Sequence, residues 1–385
     1  MQGSDFSNKA HGHTVLTPRG YWAYLPAPLP PPLELPRSLI RANSEADRAL
    51  GELAGLARNL PNPHLLIRPF MRREAVLSSR IEGTQASLSD LFYFEASPAE
   101  VTRAPDLHEV SNYVTALEYG LARLSELPLS LRLLREIHRE LMAGVRGEHL
   151  TLGEFRRSQN WIGPPGCTLM DAAYVPPPPD EMKQALHDFE QYLHQPSDLT
   201  PLVRLALVHY QFEAIHPFLD GNGRMGRLLL TLLLCAEGLL PQPLLYLSAY
   251  FEQRRSDYYD LLLAVSQKGA WVEWIEFFLY GVTEQSRDAL QRSKHLLDLW
   301  QQYRAAVQAP RSSALALQLV DELFAYPAIT TAIAATLLHV TPRAAQNNLD
   351  KLIAAGIVRE VTGRKRNRIF VAEEIIRIVE AREAD

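Results

Sequence analysis

The residues best suited to chemistry lie in one twelve-residue segment, HPFLDGNGRMGR, at positions 216–227. Gly221 and Gly223 flank Asn222, so the backbone there can turn and point successive N–H groups into one concavity. A helix is predicted to begin near Arg224, and the N-terminal end of a helix attracts anions. The segment therefore predicts an anion-binding turn between two helices.

The charged side chains of this segment indicate a nucleoside triphosphate as the anion. Arg224 and Arg227 are three residues apart, so both guanidinium groups can reach phosphate oxygens from one face of a helix. Phosphates would repel Asp220 unless a cation lay between them, and one carboxylate with phosphate oxygens is a normal Mg²⁺ site. Among these side chains only His216 can accept a proton near pH 7. The pattern predicts a triphosphate site with magnesium and a general base.

The elements around this segment are predicted to be mostly helices. Apolar residues recur at helical spacing in 131–142, 202–215 and 224–237. Between residues 163 and 179, two glycines and a run of four prolines predict a loop or a short hairpin. We expect a mainly α-helical core over residues 106–285 that positions the turn.

The N-terminal 40 residues read as irregular chain. The stretch LPAPLPPPLELP at 25–36 predicts an extended arm packed over its own domain, with a ligand for an aromatic groove as the alternative. A helix is predicted from Ser44. A second helix is predicted from Arg68 to Ile81, with Gly83 at its end.

The C-terminal part, residues 311–385, has the layout of a winged helix-turn-helix. Helices are predicted at 314–326, 331–338 and 343–355. Two short apolar stretches, IVREV and IFV, then flank the polar turn TGRKRNR, which is typical of a hairpin. Three helices followed by a hairpin predict this DNA-binding architecture.

The third of these helices is the predicted recognition helix. Its polar residues Arg343, Gln346, Asn347 and Lys351 are candidates for base or phosphate contacts, and the wing adds Arg364, Lys365, Arg366 and Arg368. The domain nevertheless carries ten basic and nine acidic side chains, which is a weak charge for a DNA binder. Both DNA and protein therefore remain candidate partners.

The amino-acid composition excludes several classes of protein. The 385 residues carry a formal charge of −5, which argues against a protein that coats nucleic acid generally. Two cysteines, Cys167 and Cys235, are too few for a disulfide framework or a zinc finger. The longest apolar run, at 228–236, is too short to span a bilayer. We expect a cytoplasmic protein without a membrane segment.

The segment at 216–227 resembles the signature of Fic-domain proteins, HxFx(D/E)GNGRxxR, without departure. The resemblance extends to GEFR at 153–156, NWIG at 160–163, the tyrosine pair at 258–259 and WVEW at 271–274. It implies a mainly α Fic-type helical bundle with a short β-hairpin flap. It also implies transfer of AMP from ATP to a Ser, Thr or Tyr hydroxyl of a protein, which includes the enzyme itself as a candidate target.

The resemblance also implies roles for single residues. His216 would deprotonate the target hydroxyl, Asp220 would hold Mg²⁺, and Arg224 and Arg227 would grip the β- and γ-phosphates. The remaining contacts implied are a phosphate cradle of Gly221, Asn222 and Gly223, an adenine site of Tyr258 and Tyr259, and a target-binding flap of Thr168, Ala172, Ala173 and Tyr174. Gly221 favours AMP transfer over the whole-phosphate transfer of Doc-type members, while phosphocholine transfer stays open.

A second resemblance concerns the segment SSRIEG at 78–83, which is similar to the family's inhibitory motif (S/T)xxxE(G/N). Ser78 and Glu82 are four residues apart, on one face of the predicted helix at 68–83, and Gly83 follows. The resemblance implies a bidentate pair between Glu82 and Arg227 that occupies the guanidinium meant for the γ-phosphate. We therefore expect an auto-inhibited adenylyltransferase.

Two other functions stay open at this point. One is a DNA-binding regulator that uses the Fic core as a nucleotide sensor, and the other is a Fic enzyme that removes AMP. Relatives often form dimers, so a homodimer is also a candidate. The expected division of the chain is 1–105 for the N-terminal region, 106–285 for the catalytic core, 286–310 for a linker helix and 311–385 for the winged helix.

Overall fold

The computed structural model describes residues 1–60, 62–97, 105–145, 151–308, 314–364 and 366–381. Helices dominate these residues, and the strands form two small sheets, which confirms the predicted mainly α class. Among the described residues no helix is long and apolar enough to cross a membrane.

The helices follow one another along the chain with mostly short connections. Their bounds are α1 Arg37–Arg58, α2 His64–Ile81, α3 Leu88–Ala96, α4 Pro105–Arg123, α5 Leu131–Met142, α6 Pro179–His194, α7 Pro201–Ile215, α8 Asn222–Ala236, α9 Ser248–Gln253, α10 Arg255–Lys268, α11 Trp271–Val307, α12 Ala314–Ala325, α13 Thr331–Leu337, α14 Pro342–Ala354 and α15 Glu373–Glu380.

The strands are β1 Gly12–Leu16, β2 Trp22–Pro26, β3 Ala328–Thr330, β4 Arg359–Glu360 and β5 Ile369–Val371. β1 and β2 form an antiparallel hairpin in which Thr14 pairs with Tyr24. The second sheet has the order β3-β5-β4 and is antiparallel throughout. Together with α12, α13 and α14 it forms the predicted winged helix-turn-helix.

Helices α7 and α8 lie at the centre of the molecule and carry the 216–227 segment between them. Almost every residue of both helices is buried, because their apolar side chains surround the axis rather than follow one stripe. α7 packs against α8, α6 and α11, and α8 packs against α4 and α2. The turn between α7 and α8 is therefore held at both ends by rigid helices.

The long helix α11 joins the two parts of the chain. It runs without a break from Trp271 to Val307, so the boundary expected at residue 285 falls inside a continuous helix. It packs against α1, α7 and α10, and it also contacts α12 and α15 of the C-terminal domain. The helical core and the winged helix thus share one structural element.

Several elements differ from their sequence predictions. The first 40 residues are not irregular, because β1 and β2 form a hairpin there and α1 already begins at Arg37. Periodicity did not indicate β3 or α15 either. These short elements are stabilised by partners distant in sequence, as when β3 pairs with β5, so local pattern alone could not reveal them.

Candidate active site

The turn between α7 and α8 has the backbone that the sequence predicts. α7 ends at Ile215, and His216 follows in the left-handed region at φ +49°. Gly221 is left-handed at φ +76° and precedes α8, which begins at Asn222. A non-glycine residue in this region is strained, so the surroundings must hold His216 in place.

Two asparagines close the turn. The side chain of Asn222 accepts from the backbone N–H of Phe218 at 2.8 Å and donates to its carbonyl oxygen at 2.8 Å. Asn160 donates to the same carbonyl at 2.7 Å. Asn222 is 2% exposed, so its side chain braces the loop rather than cradling phosphate as expected. The backbone amides of the turn are then the groups of the predicted cradle that can bind phosphate oxygens.

Arg156 is a functional residue whose role the sequence did not reveal. It is 1% exposed and donates from Nε to the carbonyl oxygen of His216 at 2.9 Å. Its Nη2 donates to Pro177 at the base of the flap at 2.5 Å. Burial lowers the pKa of Arg156 to about 10, so it stays charged at neutral pH. One guanidinium therefore joins the catalytic turn to the flap.

His138 supports the other side of the turn. Its ring stacks on Phe218 with centroids 3.8 Å apart, and its Nε2 donates to the carbonyl oxygen of Asp220 at 3.1 Å. Its Nδ1 accepts from Gly153 at 3.1 Å. Burial lowers the pKa of His138 to about 4, so the ring is neutral and structural. Phe218 is fully buried and anchors the turn in the core.

The imidazole of His216 is prepared to accept a proton. Its Nδ1 lies 3.3 Å from the carbonyl oxygen of Glu213, and because a carbonyl only accepts, Nδ1 carries the proton of this contact. Nε2 is then the basic atom. Burial and the charge of Arg156 lower the pKa of His216 to about 4, so the ring is neutral at pH 7.

The two arginines of the segment are both buried and both contact carboxylates. Arg224 lies 3.5 Å from Glu109 of α4 and 4.0 Å from Asp220. Arg227 lies 2.7 Å from Glu82. Burial opposes the charge on Arg227, but the charge of Glu82 raises the pKa of Arg227 above its usual value. Both guanidinium groups therefore lie beside the turn with a carboxylate as neighbour.

The expected contact between Glu82 and Arg227 is present, but it is not bidentate. Nη2 of Arg227 donates to Oε1 of Glu82, and the same nitrogen donates to the carbonyl oxygen of Ser78 at 3.0 Å. Nε of Arg227 donates to the hydroxyl of Ser78 at 2.9 Å. Burial opposes ionisation of Glu82, yet Arg227 lowers the pKa of that carboxyl. α2 ends beside the site, and Gly83 follows at φ +101°.

Glu82 also lies close to the backbone of the turn. A Cβ placed on Gly223 would overlap Oε1 of Glu82 and would lie 2.9 Å from Nη1 of Arg227. The carboxylate thus sits at the N-terminal end of α8, where helix amides favour an anion. Glu82 thus lies against both Gly223 and the guanidinium of Arg227.

A second carboxyl, that of Glu213, faces the same arginine from α7. Its Oε1 is buried without a hydrogen-bond partner and lies over Gly226, where a Cβ would overlap it. Burial raises the pKa of Glu213 to about 7, with Arg227 opposing and Glu82 adding to the effect. The sequence did not single out Glu213, although it stands three residues before His216.

The two tyrosines expected at the adenine lie in different surroundings. Tyr258 is 1% exposed and its hydroxyl is 2.8 Å from Nε2 of the buried His209, so it belongs to the core and not to an adenine site. Aromatic residues on an apolar helix are often core, and Tyr258 follows that rule. Tyr259 is 40% exposed. Burial of its hydroxyl and the charge of Glu82 raise the pKa of Tyr259, and Arg227 opposes this shift. It stays a candidate adenine contact.

The flap is a loop closed by one antiparallel bridge between Ile162 and Tyr174. Thr168 and Ala173 are exposed, as target contacts must be, whereas Ala172 and Tyr174 are buried. Ala172 packs with Tyr21 and Ala23 of the N-terminal hairpin region. The side chains of Ala172 and Tyr174 therefore pack inside the protein, and the place of these two residues in a target-binding flap stays a prediction. Three exposed apolar side chains not predicted, Trp161, Ile162 and Met170, line the same loop.

Asp220 has the properties of a magnesium ligand. Its side chain is 49% exposed near the end of the turn, and Oδ1 accepts from the N–H of Gly221 at 2.6 Å. The other carboxylate oxygen is thus available for a cation shared with phosphate oxygens. Among the described residues no group of three His, Cys, Asp or Glu side chains forms a metal cage.

The recognition surface of the C-terminal domain is partly as predicted. Arg343, Asn347 and Lys351 are exposed on α14. Gln346 is half-buried and binds Thr331 at 2.9 Å and Asp350 at 2.7 Å. In the wing, Arg364 and Arg366 are exposed, Arg368 lies over the ring of Phe370, and the predicted contact Lys365 falls outside the described residues.

Family comparisons agree with this geometry. Residues 40–122 match the family model described as Fic/DOC family N-terminal, and residues 128–234 match the model described as Fic/DOC family. The second match contains the complete 216–227 turn. The chain is a Fic domain protein. Residues 317–370 of this Fic domain protein match a model described as an HTH DNA binding domain.

Curated relatives of the chain carry the name "Protein adenylyltransferase Fic". The protein from Drosophila grimshawi is 30% identical over 248 residues, which are 63% of this chain and 47% of that protein. The protein from Drosophila virilis is 33% identical over 187 residues, which are 47% of this chain and 35% of that protein. The chain therefore spans less than half of the length of either relative.

Solved structures share the fold. A Fic family protein from Desulfovibrio desulfuricans G20 matches with a TM-score of 0.57 and 21% identity, over 89% of this chain and 98% of that one. Fic-1 (aa134 - 508) from C. elegans matches with a TM-score of 0.52 and 21% identity, over 68% of this chain and 74% of that one. The helical bundle with its flap is thus a Fic fold.

Proposed function

We propose that this chain is an auto-inhibited protein adenylyltransferase that transfers AMP from ATP to a hydroxyl of a protein. The observation that carries the proposal is the position of His216, a neutral imidazole with a basic Nε2, beside two buried arginines. A site that only senses a nucleotide needs no such base. The names of the relatives from Drosophila support the same activity.

The proposed reaction forms one bond and breaks another. Nε2 of His216 takes the proton of a Ser, Thr or Tyr hydroxyl, and the oxygen attacks the α-phosphorus of ATP. The bond from this phosphorus to the bridging oxygen breaks, and pyrophosphate leaves. Arg224 and Arg227 bind the β- and γ-phosphates, and the backbone amides of Gly221 and Gly223 bind the remaining oxygens. Positioning and charge neutralisation supply most of the rate in such transfers.

Magnesium is the proposed cofactor. Asp220 would hold Mg²⁺, and the bound ion would supply charge neutralisation for the triphosphate and for the leaving pyrophosphate. Asp220 fits this role because its carboxylate is exposed and fixed by the N–H of Gly221. The same carboxylate would otherwise repel the triphosphate.

Auto-inhibition is proposed from the three residues that we call the brake, Ser78, Glu82 and Arg227. ATP with its γ-phosphate on Arg227 requires Glu82 to leave, since the carboxylate occupies that side of the guanidinium. A bias of about 2.7 kcal/mol would silence 99% of the molecules. A partly buried, hydrogen-bonded ion pair can supply a bias of this size.

A direct test uses ATP labelled at the α-phosphorus, with magnesium, purified protein and a cell lysate as a source of targets. The Glu82→Gly protein should label protein bands strongly, the parent weakly, and the Glu82→Gly/His216→Ala protein not at all. Mass spectrometry of the labelled bands would identify the modified residue, including residues of the enzyme itself. Absence of label with Glu82→Gly would refute transferase activity on the proteins present.

A regulator that binds DNA and uses the Fic core as a nucleotide sensor is the second candidate. The exposed basic residues Arg343 and Lys351 on α14, together with the match to an HTH DNA binding domain, favour duplex DNA as partner of residues 311–385. Filter binding to mixed duplex DNA at low salt tests this. Arg343→Ala should weaken binding and reduce the salt slope by about 1, whereas Arg377→Ala on α15 should not.

Three further points stay proposals of the same kind. Glu82 is also the residue that would activate water if the enzyme removed AMP, so incubation of adenylylated protein with the parent enzyme tests the reverse activity. We propose the division into 1–105, 106–285, 286–310 and 311–385 as a functional one, because the boundary at residue 285 falls inside the continuous helix α11. A homodimer is testable by sedimentation.

A further inference from the structure

The inhibitory helix α2 contacts the C-terminal domain as well as the Fic core. Toward the core, Glu74 accepts from the hydroxyl groups of Tyr113 at 3.0 Å and Ser248 at 2.5 Å, and Ser78 binds Arg227. Toward the C-terminal domain, α2 packs along α12 and touches α15. The helix that carries the brake is therefore enclosed between two domains.

Arg68 makes the most specific contact with the C-terminal domain. Its guanidinium lies over the ring of Tyr326, 5.0 Å from the centroid, and donates to the tyrosine hydroxyl. Tyr326 directly follows α12, so this contact fixes the start of α2 to the end of α12. A stacked cation with a hydrogen bond is among the stronger contacts that two partly buried side chains can make.

A buried ion network fixes the middle of α2 to the last helix of the chain. Arg73 of α2 lies 3.3 Å from Asp288 of α11, and Asp288 lies 2.7 Å from Arg292. Arg292 also donates to the carbonyl oxygens of Ile378 and Ala381, each at 2.6 Å. These carbonyls lie at the end of α15, where helix carbonyl groups need partners from outside the helix. Movement of α15 would thus disturb α2.

A third connection runs through α3, which follows α2. Arg72 of α2 binds Glu95 of α3 at 2.8 Å. α3 in turn packs on β3, and its Ser89 lies 3.4 Å from the carboxylate of Glu380 in α15. Three independent contacts therefore tie α2 to the winged helix.

We propose that the winged-helix domain is a clamp that keeps the inhibitory helix α2 in its braking position. The inference rests on the proposed function for its effect on AMP transfer. For Glu82 to leave Arg227, the end of α2 must move or unwind, and each contact with α12 or α15 adds to the free energy of that opening. The exposed face of α14, with Arg343 and Lys351, takes no part in these contacts and stays open to a partner.

The test removes one clamp contact and measures the opening of α2 in the full-length protein. Tyr326→Ala deletes the ring and the hydroxyl, and Tyr326→Phe deletes only the hydroxyl. Amides of residues 64–81 should exchange with deuterium about fivefold to tenfold faster in Tyr326→Ala and less so in Tyr326→Phe. Ile353→Ala, an exposed apolar position on α14, is the matched control and should leave α2 unchanged.

A second measurement links the clamp to the brake. Tyr326→Ala should raise label transfer from ATP while Glu82 is present, and should add nothing in the Glu82→Gly background. The amides of α7 and α8 must exchange with deuterium at the parent's rate, because this shows that α2 is released locally and the protein is not generally unfolded. If these amides exchange faster in Tyr326→Ala, the milder variant Tyr326→Phe is used for both measurements instead.

Unchanged exchange of α2 in both tyrosine variants would overturn the clamp. An equal gain in label with and without Glu82 would also overturn it, because the effect would not pass through the brake. Faster exchange of α2 without label on any protein, even with Glu82→Gly, supports the clamp and contradicts the transferase. Failure of the two proposals is thus distinguishable.

Discussion

Nη2 of Arg227 lies 2.7 Å from Oε1 of Glu82, and the side chain of Arg227 is 1% exposed whereas that of Glu82 is 39% exposed. The cation is therefore fixed in the core while its partner lies at the surface end of α2. Of the two, Glu82 is the residue that can leave. The proposed release of the brake therefore needs movement of Glu82 and none of Arg227.

The first prediction concerns Ser78, which contributes two of the contacts to Arg227. Ser78→Ala removes the hydroxyl that accepts from Nε at 2.9 Å and keeps the carbonyl contact. We expect label transfer from ATP to rise about tenfold, less than with Glu82→Gly, since a hydrogen bond to a charged group contributes about 1.5–3 kcal/mol and water replaces part of it.

The neighbouring Ser79 is the matched control. It is equally buried, and its hydroxyl has no hydrogen-bond partner, so Ser79→Ala should leave label transfer at the parent's rate. Equal activation by both alanine variants would mean that α2 responds to any change in its packing and that the Ser78 contact is not specific.

The second prediction concerns the close approach of Glu213 to Gly226. A Cβ at position 226 would overlap Oε1 of Glu213, so Gly226→Ala must displace a buried carboxyl. We expect a loss of about 1–3 kcal/mol in the free energy of unfolding. Glu213→Ala should remove most of this penalty, because the overlapping atom is gone. Urea unfolding of both single variants and the double variant measures the coupling, and additive losses would contradict it.

Local pattern predicted the parts of this structure whose cause is local. Helix α5 begins and ends where the apolar spacing places it, and the 216–227 turn has its glycine in the left-handed region. The supports of that turn come from distant positions and stayed hidden. Arg156 reaches His216 across 60 residues, and Arg68 reaches Tyr326 across 258.

The same limit explains the residues whose roles were wrong. Asn222 and Tyr258 have side chains suited to a ligand, and sequence alone does not say that Phe218 and His209 already bind them. Polar groups near a site divide between ligand and scaffold according to tertiary contacts. Only the packing of α7, α8 and α10 shows that the side chains of Asn222 and Tyr258 belong to the scaffold.

The third prediction is a pH dependence of stability caused by Glu213. Burial raises the pKa of this carboxyl from its usual 4.5 to about 7 in the folded protein. Its contribution to stability is therefore complete below pH 4.5 and is lost as the pH rises through 7, since the folded state must then hold a buried charge. Glutamine stays neutral at every pH.

Thermal unfolding of the parent and of Glu213→Gln should be compared at pH 5 and pH 8. We expect the free energy of unfolding of Glu213→Gln, relative to that of the parent, to be higher at pH 8 than at pH 5 by on the order of 1–3 kcal/mol. Other titrating groups are common to both proteins and cancel in this difference. A constant difference would show that Glu213 is ionised over the whole range.

The fourth prediction concerns Arg156, which joins the carbonyl oxygens of His216, Ser158 and Pro177 through one planar group. Arg156→Lys keeps the charge, but a single ammonium cannot reach three separated carbonyls. We expect a loss of about 2–4 kcal/mol in the free energy of unfolding, because buried acceptors remain unpaired.

The same substitution should also affect label transfer. We expect the Glu82→Gly/Arg156→Lys protein to lose label transfer under conditions where it is still folded. Arg157→Lys, at the exposed neighbouring position, is the control and should change neither quantity. Full label transfer by Arg156→Lys would show that the left-handed backbone of His216 is held without the guanidinium.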